Sequence, residues 1–353
     1  MKLILSILAS LIFRVAFVGD PQVNSQDEVR YARNSILKEL SCRKDLDIVI
    51  FLGDIVNNKP DLMGEMRNSF DSLPCPWFSV RGNHDKPEPY INNFGPLDTL
   101  FEAGGATFLL LDNASGHLQT HQLQLIDSIF STVSPEQTLV IASHIPMSNI
   151  PEYKFPNRKN TLYVAAHTHT VERKSLGECG EALVAGASCG SWWRGPVGDD
   201  GIPCATQRCG SPRNYFVMNI EEGGRYNLEY KEVGGISQCE VHSDSTSVFV
   251  NVYGGHYDGR VTIRAAGSCR RIVLSRCDTI APNILKILEH NSTLTKEKRT
   301  RSNPDYIPML RRNSSHIWRG SAIKARRCRY IVTYNDPFMS FRQKVTENIV
   351  ITK

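Results

Sequence analysis

Short apolar runs recur through the first two thirds of this chain: Val15–Val18, Ile48–Leu52, Trp77–Val80, Thr107–Leu111, Thr138–Ala142, Leu162–Ala166, Ala182–Ala185 and Tyr215–Ile220. Runs this short and continuous fit strands buried on both faces. Between them lie stretches with helical spacing: Ser25 to Leu40, with apolar residues at Val29, Ile36, Leu37 and Leu40, then Asp61 to Phe70 and Gln119 to Phe130. Strand alternating with helix predicts a layered α/β core.

The texture changes near Val241. Val248–Tyr253, Arg260–Arg264, Arg271–Leu274, Tyr330–Tyr334 and Asn348–Thr352 are short strand candidates separated by turn residues. They predict a small all-β, Ig-like sandwich domain, with a helix at Pro282–Glu289 and a polar loop at Thr293–Pro304. The expected division is 14–235 and 241–353, and a length of 353 residues accommodates two domains. Charge divides at the same place. From Ile236 onward there are 20 Lys and Arg against 9 Asp and Glu, whereas the preceding part has 21 against 27.

Arg311, Arg312, Arg319, Lys324, Arg326, Arg327 and Arg329 form the densest basic cluster. It reads either as a sheet edge blunted by charge or as a contact for an anionic surface or polymer. No nucleic-acid-binding motif accompanies it. Residues 1–13 carry one positive charge and then an apolar run, the outline of a signal peptide, so export to a periplasm or the medium is the expectation. The alternative is an extension of the first strand in a cytoplasmic protein. No run reaches the roughly 18 apolar residues of a membrane-spanning helix. The cysteines form no CxxC pair, and Cys204 and Cys209 are close enough in sequence to pair in an oxidising compartment.

The residues that follow the apolar runs carry the chemistry. They are Gly19-Asp20-Pro21-Gln22, Gly53-Asp54, Gly82-Asn83-His84-Asp85, Ser143-His144 and His167-Thr168-His169. Loops at the carboxyl ends of strands in an open α/β sheet converge on one crevice. These loops deliver oxygen and imidazole donors without a thiolate, which suits Mn, Fe, Zn or Mg. Seven donors exceed one tetrahedral ion and suit two divalent metal ions sharing a carboxylate, a clamp for phosphoryl chemistry. The preceding glycines are expected to allow sharp turns and close approach of substrate.

That ordered set resembles the calcineurin-like metallophosphoesterases, specifically the bacterial type with an additional C-terminal domain. The resemblance implies a four-layer α/β/β/α sandwich. It implies one metal on Asp20, Gln22, Asp54 and His169 and a second on Asp54, Asn83, His144 and His167, with a water or hydroxide between the ions attacking phosphorus. His84 matches the family histidine that steadies the phosphoryl oxygens or protonates the leaving group. Gln22 replaces the usual His, Ala166 the usual Gly, and Asn57 stands where some relatives carry an Asp that orients the catalytic His. Gly190-Ser191-Trp192-Trp193-Arg194 matches the end of the family's catalytic domain. Trp192, Trp193 and Arg194 either wall the substrate pocket, with Arg194 pairing to phosphate, or pack into the core. The implied function is phosphoester hydrolysis, foremost by a phosphomonoesterase; the alternatives are a phosphodiesterase and a weakly active polyanion-binding protein.

Overall fold

The computed structural model describes residues 12–300, 303–323 and 329–347. The expected leader up to residue 11, the basic residues Lys324, Arg326 and Arg327, and the strand expected at 348–352 lie outside the described residues. In strand β1 (Phe13–Val18), Val15 and Phe17 face one way and Ala16 and Val18 the other, and all four are fully buried. Only a strand covered by a layer on each side buries alternate residues equally.

β1 belongs to a five-stranded sheet with β2 (Ile48–Phe51) and β3 (Trp77–Ser79) parallel to it on one side. Its outer face is covered by α1 (Gln26–Ala32), a π-helical turn at Arg33–Leu37, α2 (Lys38–Cys42), α3 (Met63–Asp71) and α4 (Pro87–Phe94). The second sheet runs β4 (Thr99–Ala103), β5 (Ala106–Leu111), β6 (Thr138–Ser143), β7 (Thr161–Ala165), β9 (Glu181–Ala185) and β8 (Val171–Ser175) in that spatial order. Its outer face is packed by α5 (Thr120–Thr132) through Ile126 and Ile129. The inner faces of the two sheets meet in one core, where Val15, Phe17 and Ile50 join Phe108, Val140 and Val164. This is the expected α/β/β/α layering. β10 (Asn214–Ile220) and β11 (Tyr226–Glu232) complete the first sheet, antiparallel beside β1.

β12 (Cys239–Ser243), β13 (Ser247–Val252), β14 (Arg260–Ala265), β15 (Ile272–Thr279), β16 (Ser314–Ser321), β17 (Arg329–Asn335) and β18 (Ser340–Thr346) form the all-β C-terminal domain. They make one antiparallel sheet in the order β12-β13-β16-β15-β14-β17-β18, curled until β12 comes beside β18. A nearly closed sheet leaves little unpaired edge, and its two halves face each other over Val250, Val261, Trp318 and Val332. α6 (Pro282–Thr293) packs outside it through Ile284.

The two parts share a core. Phe216 and Tyr230 of the first sheet belong to the same buried cluster as Tyr253 and Trp318 of the last. The nine described cysteines are unpaired: Cys209 is buried and Cys204 exposed, so the disulfide considered from their spacing is not formed. Among the described residues, no helix is long and apolar enough to cross a membrane.

Candidate metal centre

The loops leaving β1, β2, β3, β6 and β7 meet where the two sheets adjoin. Gly82 shows why: a Cβ there would lie 2.0 Å from the Asp54 amide nitrogen and 2.2 Å from its Oδ1, so only glycine lets the second and third loops close. Gly53, at φ 84°, makes the turn that aims Asp54 inward. The space at Gly82 is therefore filled by the protein itself, and not by substrate as the sequence suggested. Asp85 fastens the same loops, its carboxylate accepting from the amides of Ile55, Val56 and Gly82 at 3.0–3.1 Å. Burial, then the charge of Asp54, push the Asp85 carboxyl up to about 7 against the pull of those amides.

Asp20, Gln22, Asp54, His167 and His169 all hold positive φ, between 36° and 68°. Such backbone costs about 1–3 kcal/mol per residue and persists only where its surroundings impose it. Ala166 is not among them, so the exchange from glycine at that position demands no special conformation.

Six of the seven expected donors come together. His144 Nδ1 donates to the Leu52 carbonyl at 2.7 Å, which turns Nε2 toward Asp54 Oδ2 (3.3 Å), Asn83 Oδ1 (3.0 Å) and His167 Nδ1 (3.1 Å). The Gln22 amide sits 3.2 Å from Asp54 Oδ2, and a half-turn presents its oxygen there. Asp20 is fully buried 3.8 Å from His144 Nδ1, and its Oδ1 has no hydrogen-bond partner. His169, the seventh, lies alongside; its Nδ1 donates to the Gly190 carbonyl at 2.7 Å, leaving Nε2 as the free donor atom.

The residues fit divalent cations. Asp54, His144 and His167 each offer an atom, and those atoms lie within 4.8 Å of one another. Burial drives the Asp20 carboxyl well above its ordinary value, with Asp54 adding to the effect against the opposing charge of His144. Such a group asks for a positive partner. Burial holds His167 and His169 down at about 4, with the charges of His144 and Arg208 respectively adding to it, so both rings are neutral at pH 7, the form in which imidazole can bind a metal. Burial opposes a charge on His144, but Asp54 and Asp20 outweigh it and push the ring up to about 9. A metal seated there displaces that proton.

His84 stands at the rim. Its backbone amide donates to Asp54 Oδ1 at 2.9 Å, and its Nδ1 lies 2.7 Å from the side-chain amide of Asn58. The orienting partner is thus Asn58, at φ 57°, rather than Asn57, whose backbone amide bonds the Val23 carbonyl. The adjacent tryptophans divide the two roles considered for them. Trp192 stacks on His169 with centroids 4.6 Å apart, so it walls the site. Trp193 is buried in the helical layer's core and donates through Nε1 to the Pro21 carbonyl at 2.8 Å, bracing the first loop. Arg194 is half-buried. A cation beside the site is Arg208, whose guanidinium lies 4.9 Å from the Trp192 ring and whose amide donates to the His169 carbonyl at 2.9 Å. Sequence reasoning missed Arg208 because it sits in a loop without periodicity, 39 residues past His169.

Family models agree with this geometry. The calcineurin-like phosphoesterase model matches residues 13–171, and the model for the C-terminal part of calcineurin-like phosphoesterases matches residues 183–338. The chain belongs to the calcineurin-like phosphoesterases. It is accordingly a metal-dependent phosphoester hydrolase, of a family that binds divalent metals. No curated protein sequence matches this phosphoesterase. Among solved structures, a dimetal phosphatase from Danio rerio is 12% identical, covering 63% of this chain and 97% of that one, with a TM-score of 0.45. The anchor protein of the Plasmodium inner membrane complex is 12% identical over 63% of this chain and 84% of that one, TM-score 0.40. A 5'-nucleotidase from Candida albicans is 10% identical over 62% and 50%, TM-score 0.33.

Proposed function

We propose that this phosphoesterase is a dinuclear phosphomonoesterase, its first ion held by Asp20, Gln22, Asp54 and His169 and its second by Asp54, Asn83, His144 and His167. The observation that carries the reading is the approach of Gln22, His144 and His167 to Asp54, the carboxylate that this reading shares between both sets. Bound divalent ions supply Lewis-acid charge for the phosphoryl group and make a water acidic enough to act at neutral pH.

The chain's own residues do the rest. His84, at the rim, is placed to donate a proton to the leaving oxygen or a hydrogen bond to a phosphoryl oxygen, and Asn58 fixes its ring. Trp192 closes one wall and excludes water beside His169. Arg208, held against Trp192, adds a fixed positive charge that favours a monoester dianion over the singly charged diester.

The test is turnover of 4-nitrophenyl phosphate and bis(4-nitrophenyl) phosphate with added Mn²⁺, beside elemental analysis of the protein. Faster turnover of the monoester with two metals per chain is expected. A preference for the diester would replace the monoesterase reading, and no turnover of either by protein holding two metals would sink both.

A further inference from the structure

Three neighbouring strands give the outside of the C-terminal domain a cationic face. Val261 and Ile263 of β14 and Val332 and Tyr334 of β17 lie in the core, and Phe341 and Val345 of β18 pack against it. Alternation therefore sends Arg260 and Arg264 of β14, Arg329 of β17, and Arg342 and Lys344 of β18 outward. The register fixes their neighbours. Arg264 stands opposite Ile331 and Ile331 opposite Lys344, while Thr262, Thr333 and Arg342 form the next row. Strand spacing sets Arg264 and Lys344 about 10 Å apart along the row, and the rise along β18 sets Arg342 about 7 Å from Lys344. No Asp or Glu stands among the outward residues of these strands. Glu347, just past β18, accepts from the Tyr330 hydroxyl at 3.1 Å and from the Ser243 hydroxyl.

Protection of an open edge does not account for this face. β14 is flanked by β15 and β17, so Arg260 and Arg264 guard no edge. Nor is it the basic cluster that the sequence suggested: of that cluster's described members Arg329 alone belongs here, and Arg319 lies two strands away on β16, donating to the Ser247 hydroxyl. Like charges on neighbouring strands repel, and an anionic partner relieves that repulsion. The shape and chemistry favour a broad partner. The face is the outside of a curled sheet, hence convex, which suits spreading on a surface better than clasping one polymer strand. Its outward residues include no aromatic ring on which a base could stack. Aliphatic side chains sit among the cations instead: Ile331 between Arg264 and Lys344, and Val273 of β15, 58% exposed, opposite Thr262.

We infer that this face docks the protein on an anionic lipid surface, its five cations meeting phosphate headgroups while Val273 and Ile331 rest against the interface. The inference is independent of the hydrolase reading, because the metal loops belong to the other domain.

Sedimentation of the full chain with vesicles tests it, using phosphatidylcholine alone and an equimolar mixture of phosphatidylcholine and phosphatidylglycerol. Binding to the mixed vesicles only, weakening as salt rises, is expected. Arg342→Gln with Lys344→Gln removes two exposed cations and should weaken that binding about 25-fold, a factor of about five for each. Arg30→Gln with Lys38→Gln takes the same charge from exposed positions on the helices over the first sheet and should leave binding unchanged. No binding to the mixed vesicles, equal binding to both kinds, or an equal fall in the second pair of substitutions would overturn the inference. So would alginate or a single-stranded oligonucleotide bound as tightly as the mixed vesicles and lost in Arg342→Gln with Lys344→Gln, a result that would assign the face to a soluble polyanion.

Discussion

Arg173 of β8 and Asp336, just past β17, form a two-pronged ion pair sealed between the domains, with Nη1 to Oδ2 at 2.9 Å and Nη2 to Oδ1 at 3.1 Å. The guanidinium also donates to the Gly254 carbonyl, and Asp336 accepts from the amides of Phe338 and Met339. Removing one partner strands a buried charge, at a cost of about 3–5 kcal/mol. Arg173→Ala should lower the urea midpoint accordingly, and Arg173→Met with Asp336→Leu should recover much of the loss. An unchanged midpoint in the single variant would show that the pair does not join the domains.

Acid should act on the same pair. Burial opposes ionisation of Asp336, but the charge and hydrogen bonds of Arg173 outweigh it and hold the carboxyl below its ordinary value. A depressed folded-state value gives stability that is fully present above the unfolded value, about 3.9, and is lost as pH falls through the folded value. Stability measured by urea titration should thus fall below about pH 4. In Asp336→Asn that part of the acid dependence should be missing, leaving a shallower slope.

His84 and Asn58 separate chemistry from orientation. His84→Ala should reduce kcat about 10²–10⁴-fold, the usual contribution of a positioned proton donor, while the metal content stays at the wild-type level. Asn58→Ala should cost less and shift the pH profile of kcat, since it frees the ring without deleting it. Asp54→Asn should abolish activity and lower the metal content measured by elemental analysis. An active, fully metallated Asp54→Asn would refute the shared carboxylate.

The adjacent tryptophans should respond in opposite ways. Trp193→Ala empties a buried site and should destabilise the fold by about 3–5 kcal/mol. Trp192→Ala removes a half-buried wall, so its main effect should be on KM, with a smaller loss of stability. Thermal melts beside steady-state kinetics distinguish the two.

Much of the catalytic architecture was legible because burial on both faces leaves a strong trace. Ala16 and Phe17 face opposite layers, yet both must be apolar, so β1 reads as an unbroken run. β11 (YNLEYKE) escaped because it lies at the edge of its sheet and alternates half-buried with buried residues. β8 (VERKS) escaped for the same reason. The donors could be found from their place after strands, since polar residues that must converge have to sit at strand ends. Asn58 and Arg208 could not, because what fixes them is a left-handed turn and a stack against Trp192, neither of which has a sequence period. The closure of the C-terminal strands was likewise invisible, for curvature is decided by which strand reaches which and not by their composition.

The seam along Phe216, Tyr230 and Gly254 limits what can be done with this chain. A Cβ on Gly254 would lie 2.7 Å from the Phe216 ring, so the halves interlock to within an atom's width. Cutting the polypeptide near residue 235 to isolate the catalytic half would bare two aromatic rings and orphan Arg173. The fragment would be sticky and prone to precipitate. For the same reason this C-terminal partner cannot be exchanged for another like a detachable adaptor; any graft would have to carry the seam with it.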